Sequence, residues 1–309
     1  METVQHTFTD VEEFTERVRT MGWQGEIAQT EAGNFQVDLA IHQAPGLIST
    51  RTRHNVANMR EINTPANART FGLVVPKRDG NSWCQHNFDQ VVVQMMPRCD
   101  YTAANPAGHL GYQLAFDDER VAQVCEQLDV ATALTNDACL LELARSRGPR
   151  VLQLLDILFA VDCDLAQVQA ADSLLTMFIS AFNSAYSGNS HARASQRHAA
   201  FRNAKDYMHA HLDEAITLAD ISRQANASRR TLTNAFQESL GMAPMSYLKL
   251  LRLNRVQQIL CRAALQAPRI SDVANDHGFW HMGQFASDYR QLFGELPSET
   301  LRTRNYRNR

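Results

Sequence analysis

A repeat in the last third of the chain constrains its fold more than any other feature. Residues 217–244 (TLADISRQANASRRTLTNAFQESLGMAP) and 269–297 (RISDVANDHGFWHMGQFASDYRQLFGELP) carry one apolar frame twice. Leu218, Asp220, Ile221 and Asn226 correspond to Ile270, Asp272, Val273 and Gly278, 52 positions on. After one inserted residue, Leu232, Phe236, Leu240, Gly241 and Pro244 correspond to Phe285, Tyr289, Phe293, Gly294 and Pro297, 53 positions on. Apolar residues three and four apart predict helices, so each copy reads as two short helices about a tight turn. Thr217 with Asp220 makes a capping-box start. Asn226 and Gly278 suit the left-handed backbone of a sharp turn. Ser228 caps a helix over 229–239 whose Leu232, Phe236 and Leu240 face a core, and the corresponding helix over 281–292 buries Phe285, Tyr289 and Phe293. Gly241 and Gly294 stop these helices, and Pro244 and Pro297 follow where new ones begin.

Two more helices complete this module. Residues 197–212 place Phe201, Ala204, Met208 and Leu212 on one face. Residues 245–262 (MSYLKLLRLNRVQQILCR) are apolar on most sides, as expected of a helix wedged between the two copies. Two helix-turn-helix units on one duplex must stand about 34 Å apart, one turn of B-DNA, to enter successive major grooves. A linking helix of about 18 residues spans roughly 27 Å and can hold such a gap. The outward positions of the first reading helix, Arg229, Arg230, Thr231, Thr233 and Asn234, are donors and acceptors suited to base edges and phosphates.

Charge divides the chain in the same place. Residues 190–309 carry 17 Lys and Arg against 10 Asp and Glu, whereas residues 1–189 carry 13 against 23. A basic module facing phosphates gains by releasing condensed counterions. Between the halves, SAYSGNSHARAS (184–195) is a Ser/Gly/Asn-rich stretch typical of a short flexible connection. The expected organisation is a domain over 1–185, a linker over 186–195 and a DNA-binding module over 196–309.

From residue 197 to residue 302 the chain resembles the AraC/XylS family of bacterial transcription regulators. The likeness is carried by ISDVANDHGFWHMGQFASDYRQLFGELPSETL, with DVA, GF, QF, FG and PS at the family's spacing, and by SRRTLTNAF and YLKLLRLN in the first copy. GFWHMGQFASDY and SRRTLTNAF look closest to regulators of ethanolamine utilisation. The resemblance implies a seven-helix module with two helix-turn-helix motifs joined by a long helix. It places Arg230, Thr233 and Asn234 toward the groove, with Ser228 and Arg229 near phosphate. In the second copy it places His281, Met282, Gly283, Ala286 and Ser287 toward the groove, with Gln284 and Arg290 beside them. This second helix departs from the polar, Arg-rich pattern of the family. Phe279, Trp280 and Phe285 read as core, while Lys249, Arg252 and Arg255 fit either structural ion pairs or phosphate contacts. As partners the resemblance implies promoter DNA, RNA polymerase, a small-molecule effector and a second copy of the chain.

The acidic half is less informative. FQVDLAIH (35–42), TFGLVVP (70–76) and VVVQMM (91–96), separated by APG, RDGN and ANPAG, predict antiparallel strands and turns. From about residue 119 the pattern turns helical: RVAQVCEQL, PRVLQLLDILFAV, then LAQVQAADSLLTMFISAF with Leu165, Val168, Ala171, Leu175 and Phe178 along one face. The expected class is α+β, a β-rich half with helices followed by an all-α module, and the resemblance implies a cupin-like sensor and dimerisation domain. Trp83, Phe88 and Tyr101 are candidate pocket aromatics and equally good core residues.

His6, His42, His54, His86 and His109 form no HxH pair or HExxH helix, and no GxSxG, P-loop or GxGxxG follows a strand. No cofactor or metal is expected. A metal-dependent barrel enzyme fused to a DNA-targeting module is the alternative to an effector-responsive activator. The amino-terminal METVQHTFTDVEEF lacks a basic cluster and apolar stretch, and the charge-free run from Ser173 to Arg193 is too polar for a membrane span, so a cytoplasmic protein is expected. Cys84, Cys99, Cys125, Cys139, Cys163 and Cys261 include no CxxC pair and read as reduced thiols.

Overall fold

A computed structural model describes residues 2–75, 81–83, 86–96, 101–130, 139–160, 163–186, 192–262 and 268–307. Two compact units are present. One comprises Met1–Ile27, Phe35–Asn55 and Arg60–Asn189, and the other Ala28–Asn34, Val56–Met59 and Ser190–Arg309.

The first unit runs β1 (Glu2–Phe8), α1 (Val11–Thr20), β2 (Gln24–Gln29), β3 (Val37–Ala44), β4 (Leu47–His54), β5 (Asn58–Asn63), β6 (Ala68–Val74), β7 (Asn81–Trp83), β8 (His86–Phe88), β9 (Val92–Met95), β10 (Tyr101–Asn105), β11 (Leu110–Asp117), α2 (Asp118–Gln127), β12 (Cys139–Glu142), α3 (Gly148–Ala160) and α4 (Asp164–Tyr186). Seven strands form an antiparallel sheet in the order β1-β3-β4-β11-β6-β9-β12, three more the order β10-β5-β2, and β7 pairs with β8. Alternation along β11 decides which side is which, because successive side chains point to opposite faces. Tyr112, Leu114 and Phe116 join Phe71, Leu73 and Val93 against the apolar sides of α2, α3 and α4 in one core. On the opposite face Leu39, Thr50, Thr52 and Gln113 meet Phe14 and Val18 of α1 and Ile62 of β5 around a cavity of about 20 Å³, room for about one water.

The predicted strands and helices of this half are present, and α1 is an addition. Its signal was local: the Asp10 carboxylate accepts from the Glu12 and Glu13 amides, at 2.8 and 3.2 Å. Asp164–Ala185 is long and apolar enough to cross a membrane, yet half of it is buried within the protein. Ala170, Ala171, Leu174, Leu175, Phe178, Ile179 and Phe182 build the core, whereas Leu165, expected on the apolar face, is 67% exposed in the first turn. Phe88 is buried; the side chains of Trp83, Tyr101, His86 and Cys139 and residues Cys84 and Cys99 lie outside the described residues. Cys125, Cys163 and Cys261 are not joined in disulfides, and burial pushes the Cys125 thiol up.

Where the large sheet is not covered by helices, a cleft of about 560 Å³ opens over β1, β3, β4 and β11. Asp38, Arg51, Arg53 and Tyr112 line it from the strands and Asp156 from α3. The register explains the clustering, because Ala40, Arg51 and Tyr112 stand side by side, as do Thr7, Asp38 and Arg53. The Arg51 guanidinium lies 5.6 Å from the centre of the Phe159 ring.

The second unit contains α5 (Ala192–Ala210), α6 (Leu218–Gln224), α7 (Arg229–Leu240), α8 (Pro244–Arg262), α9 (Ile270–Asp276), α10 (Met282–Phe293) and α11 (Pro297–Arg307). Residues 192–195, expected as part of a flexible connection, are the first residues of α5. Phe201 on α5, Phe236 on α7 and Tyr247 on α8 form an aromatic stack with centroid spacings of 4.9 and 5.4 Å. Around the far end of α8, Val256 and Leu260 pack with Val273, Phe285, Tyr289 and Phe293. Within this unit the buried Asn254 side chain accepts from the Gln29 amide at 3.0 Å and donates to its carbonyl at 3.1 Å.

Candidate nucleic-acid interface

In the first copy the local chemistry is complete. Thr217 and Asp220 form the capping box: the Thr217 hydroxyl accepts from the Asp220 amide at 3.3 Å, and the Asp220 carboxylate accepts from the Thr217 amide at 3.0 Å. The Thr217 hydroxyl, which donates to the Asp220 carboxylate at 2.6 Å, and then the Thr217 amide hold the Asp220 carboxyl below the usual carboxylate range. Asn226 turns the chain at φ 49°, and the Ser228 hydroxyl accepts from the Thr231 amide at 3.1 Å to open α7. Leu232, Ala235, Phe236 and Leu240 are buried, which leaves Arg229, Arg230, Thr233 and Asn234 exposed together, with Thr231 half-buried at their edge. Gly241, at φ 72°, ends the helix by donating to the Gln237 carbonyl.

The second copy repeats the backbone and changes the chemistry. Gly278 makes the turn at φ 78°, and a Cβ there would lie 2.8 Å from Arg252 Nη1. Phe285, Tyr289, Leu292 and Phe293 are buried on α10. The Tyr289 hydroxyl bonds Thr300 Oγ1 at 2.9 Å, and burial pushes its phenol far up. His281 occupies the N-cap with extended backbone, but its side chain makes no capping bond. On the outer side His281, Gly283, Gln284, Ser287 and Arg290 are exposed and Met282 and Ala286 half-buried. The Gln284 amide donates to Asp288 at 3.0 Å, and Asp288 also holds Lys249 at 2.7 Å.

Of the three cations left open on the linking helix, Lys249 alone makes an ion pair with an acid among the described residues. Lys249 pairs with Asp288, Arg252 donates to the Leu212 carbonyl at 2.9 Å and to that of Glu214, and Arg255 donates to Gln258 at 3.4 Å. One expectation is corrected. Trp280 does not pack in the core but is 69% exposed. A residue just before the N-cap ordinarily staples to the fourth helical position. Here Phe279 makes that contact instead, its ring 5.1 Å from Phe285, and the indole is turned out. Two adjacent aromatics offered no local signal of which would staple. Elsewhere, no group of three or more His, Cys, Asp or Glu side chains capable of holding a metal occurs among the described residues.

Two helix-turn-helix frames, each with a buried apolar side and a protruding face, joined through one long helix, define a helix-turn-helix DNA-binding module. Comparison with known proteins agrees: residues 221–303 match the helix-turn-helix domain family. A probable thc operon regulatory protein of Rhodococcus erythropolis is 41% identical over 106 residues, 34% of this chain and 32% of that protein. A XylDLEGF operon transcriptional activator of Pseudomonas putida is 34% identical over 102 residues, 33% of this chain and 32% of that protein. The solved structure of a probable AraC family transcriptional regulator from Rhodopseudomonas palustris is 34% identical, with a TM-score of 0.33, covering 34% of this chain and 97% of its own. The matches thus span about a third of the length of the two operon regulators. The carboxy-terminal module is a helix-turn-helix DNA-binding domain similar in sequence to those of AraC/XylS-type operon regulators.

Proposed function

We propose that the chain is a sequence-specific transcription regulator, an effector-responsive activator that works by binding rather than by catalysis, in the cytoplasm. The observation that carries this reading is the pair of outward faces on α7 and α10, tied through the single 19-residue helix α8. At about 1.5 Å per residue α8 is roughly 28 Å long, matched in scale to one turn of B-DNA. Arg230, Thr233 and Asn234 read base edges, and Ser228, Arg229 and Thr231 sit toward phosphate at the positive end of α7. His281, Met282, Gly283, Gln284, Ala286, Ser287 and Arg290 face the second half-site. The relatives are named as operon regulators and activators, which supports promoter DNA and RNA polymerase as partners.

Residues 1–185 sense and dimerise, 186–195 connect, and 196–309 bind DNA. The interior cavity of the first unit holds about one water, so the outer cleft is the better effector site by size. Its paired guanidiniums and opposed carboxylates suit a small molecule bearing both charges. Such a ligand shifts the regulator only by binding two arrangements of the protein with different affinity.

The test is a gel-shift series on duplexes selected from a random pool by the full chain. Arg230→Ala and Asn234→Ala each lower affinity at one half-site by about 1–3 kcal/mol while the thermal melt stays put. Unchanged sequence preference in both variants contradicts the reading. For the effector, a thermal-shift screen with amino acids, amino alcohols and sugars should give a response that Arg51→Ala abolishes; a response indifferent to Arg51 places the effector elsewhere.

A further inference from the structure

The outer face of α10 is mixed: His281, Ser287 and Arg290 are exposed polar groups, but its start is unlike that of α7. The long amide of its first turn, Gln284, is already bonded to Asp288, and Asp288 is paired with Lys249. Beside the exposed His281 imidazole, the entrance of the helix presents hydrocarbon. Trp280 is 69% exposed, and among the described residues its indole makes no hydrogen bond and no ring contact. Met282 and Ala286 stand half-buried nearby in sequence.

Gly283 is the second, independent observation. A Cβ added there would meet nothing within 4 Å, and its backbone is not left-handed. Glycine weakens a helix relative to alanine, so neither packing nor backbone geometry accounts for it. Gly278 and Gly294, with positive φ, are each needed by a turn. A glycine the fold does not need, exposed in the first turn of a reading helix, leaves a notch for a body that approaches from outside.

Among the groups that base pairs present in the major groove, the thymine 5-methyl is the hydrocarbon one. We propose that the second helix-turn-helix reads thymine methyl groups by shape, with Trp280 as a ridge and Gly283 as a notch, flanked by Met282 and Ala286. Its half-site therefore carries T·A pairs under the start of α10. This inference rests on the DNA-binding reading above and adds to it a chemical class of contact and a residue, Trp280, outside the reading set.

The test replaces thymines by deoxyuridine, one at a time, in a duplex selected and footprinted with the full chain; only the methyl group is lost. Deoxyuridine at one or two positions of the second half-site should weaken binding roughly fourfold each, the factor for one buried methylene-sized group. Trp280→Ala should weaken binding at that half-site more and remove its sensitivity to deoxyuridine, leaving the first half-site as it was. Gly283→Ala should weaken binding although it favours the helix. If the wild-type chain tolerates deoxyuridine throughout the second half-site, or Trp280→Ala keeps the wild-type response, the inference is wrong while the DNA-binding reading stands. If no duplex is selected at all, both fall. The deoxyuridine arm needs no protein variant, so a folding defect cannot obscure it.

Discussion

The two helix-turn-helix copies share a backbone and differ in almost everything that backbone displays. Both turn through a left-handed residue, Asn226 or Gly278, and both end on a left-handed glycine. Both bury one aromatic at matching positions, Phe236 and Tyr289. Outside, α7 shows two arginines, a threonine and an asparagine behind a working serine cap, whereas α10 shows a glutamine, a serine and a single arginine behind an exposed indole, an open glycine and an uncapped start. The repeat teaches that the buried half of each helix is held by packing, while the free half is left to diverge toward a different partner surface.

The deepest test of that separation is in the core. Phe236→Ala and Tyr289→Ala should each cost about 3–5 kcal/mol in denaturant unfolding of the module. Unequal losses would break the equivalence of the two frames. Next comes the outer face: Arg230→Ala should lose about 1–3 kcal/mol of DNA affinity, and Ser287→Ala, on the apolar-reading copy, less than about 1. Caps should differ in the same sense. Ser228→Ala removes a formed bond and should lower stability by about 1 kcal/mol, while His281→Ala, which removes none, should stay within a few tenths. Lys249→Ala breaks the pair between a half-exposed lysine and the largely buried Asp288, which keeps its bond from Gln284, and should cost about 1 kcal/mol. The salt dependence of DNA binding should not change with it, since a structural lysine releases no counterion.

Much of the module was legible because its signals are local. Thr217, Asp220, Asn226, Ser228, Gly241 and Gly294 act on backbone groups within a few residues, so the sequence alone places them. Trp280 was not legible: core packing suited it as well as exposure, and only the competition with Phe279 for Phe285 decides. Asn254 was hidden for a related reason, since its hydrogen-bond partner Gln29 lies 225 positions away. In the amino-terminal unit the strands could be read from alternation, but the cleft could not. It depends on which strands stand beside one another, and the pairing of β4 with both β3 and β11 brings Arg51 beside Tyr112.

Arg252 deserves a last consequence. One guanidinium reaches the carbonyls of Leu212 and Glu214, ahead of the first copy, and lies against the Gly278 turn of the second. A bolt through both motifs leaves them little room to pivot about their common axle. A regulator so fastened should be strict about phase: an extra base pair between its half-sites swings the far one by roughly 35° around the duplex, and the Arg252 contacts oppose the rotation needed to follow it.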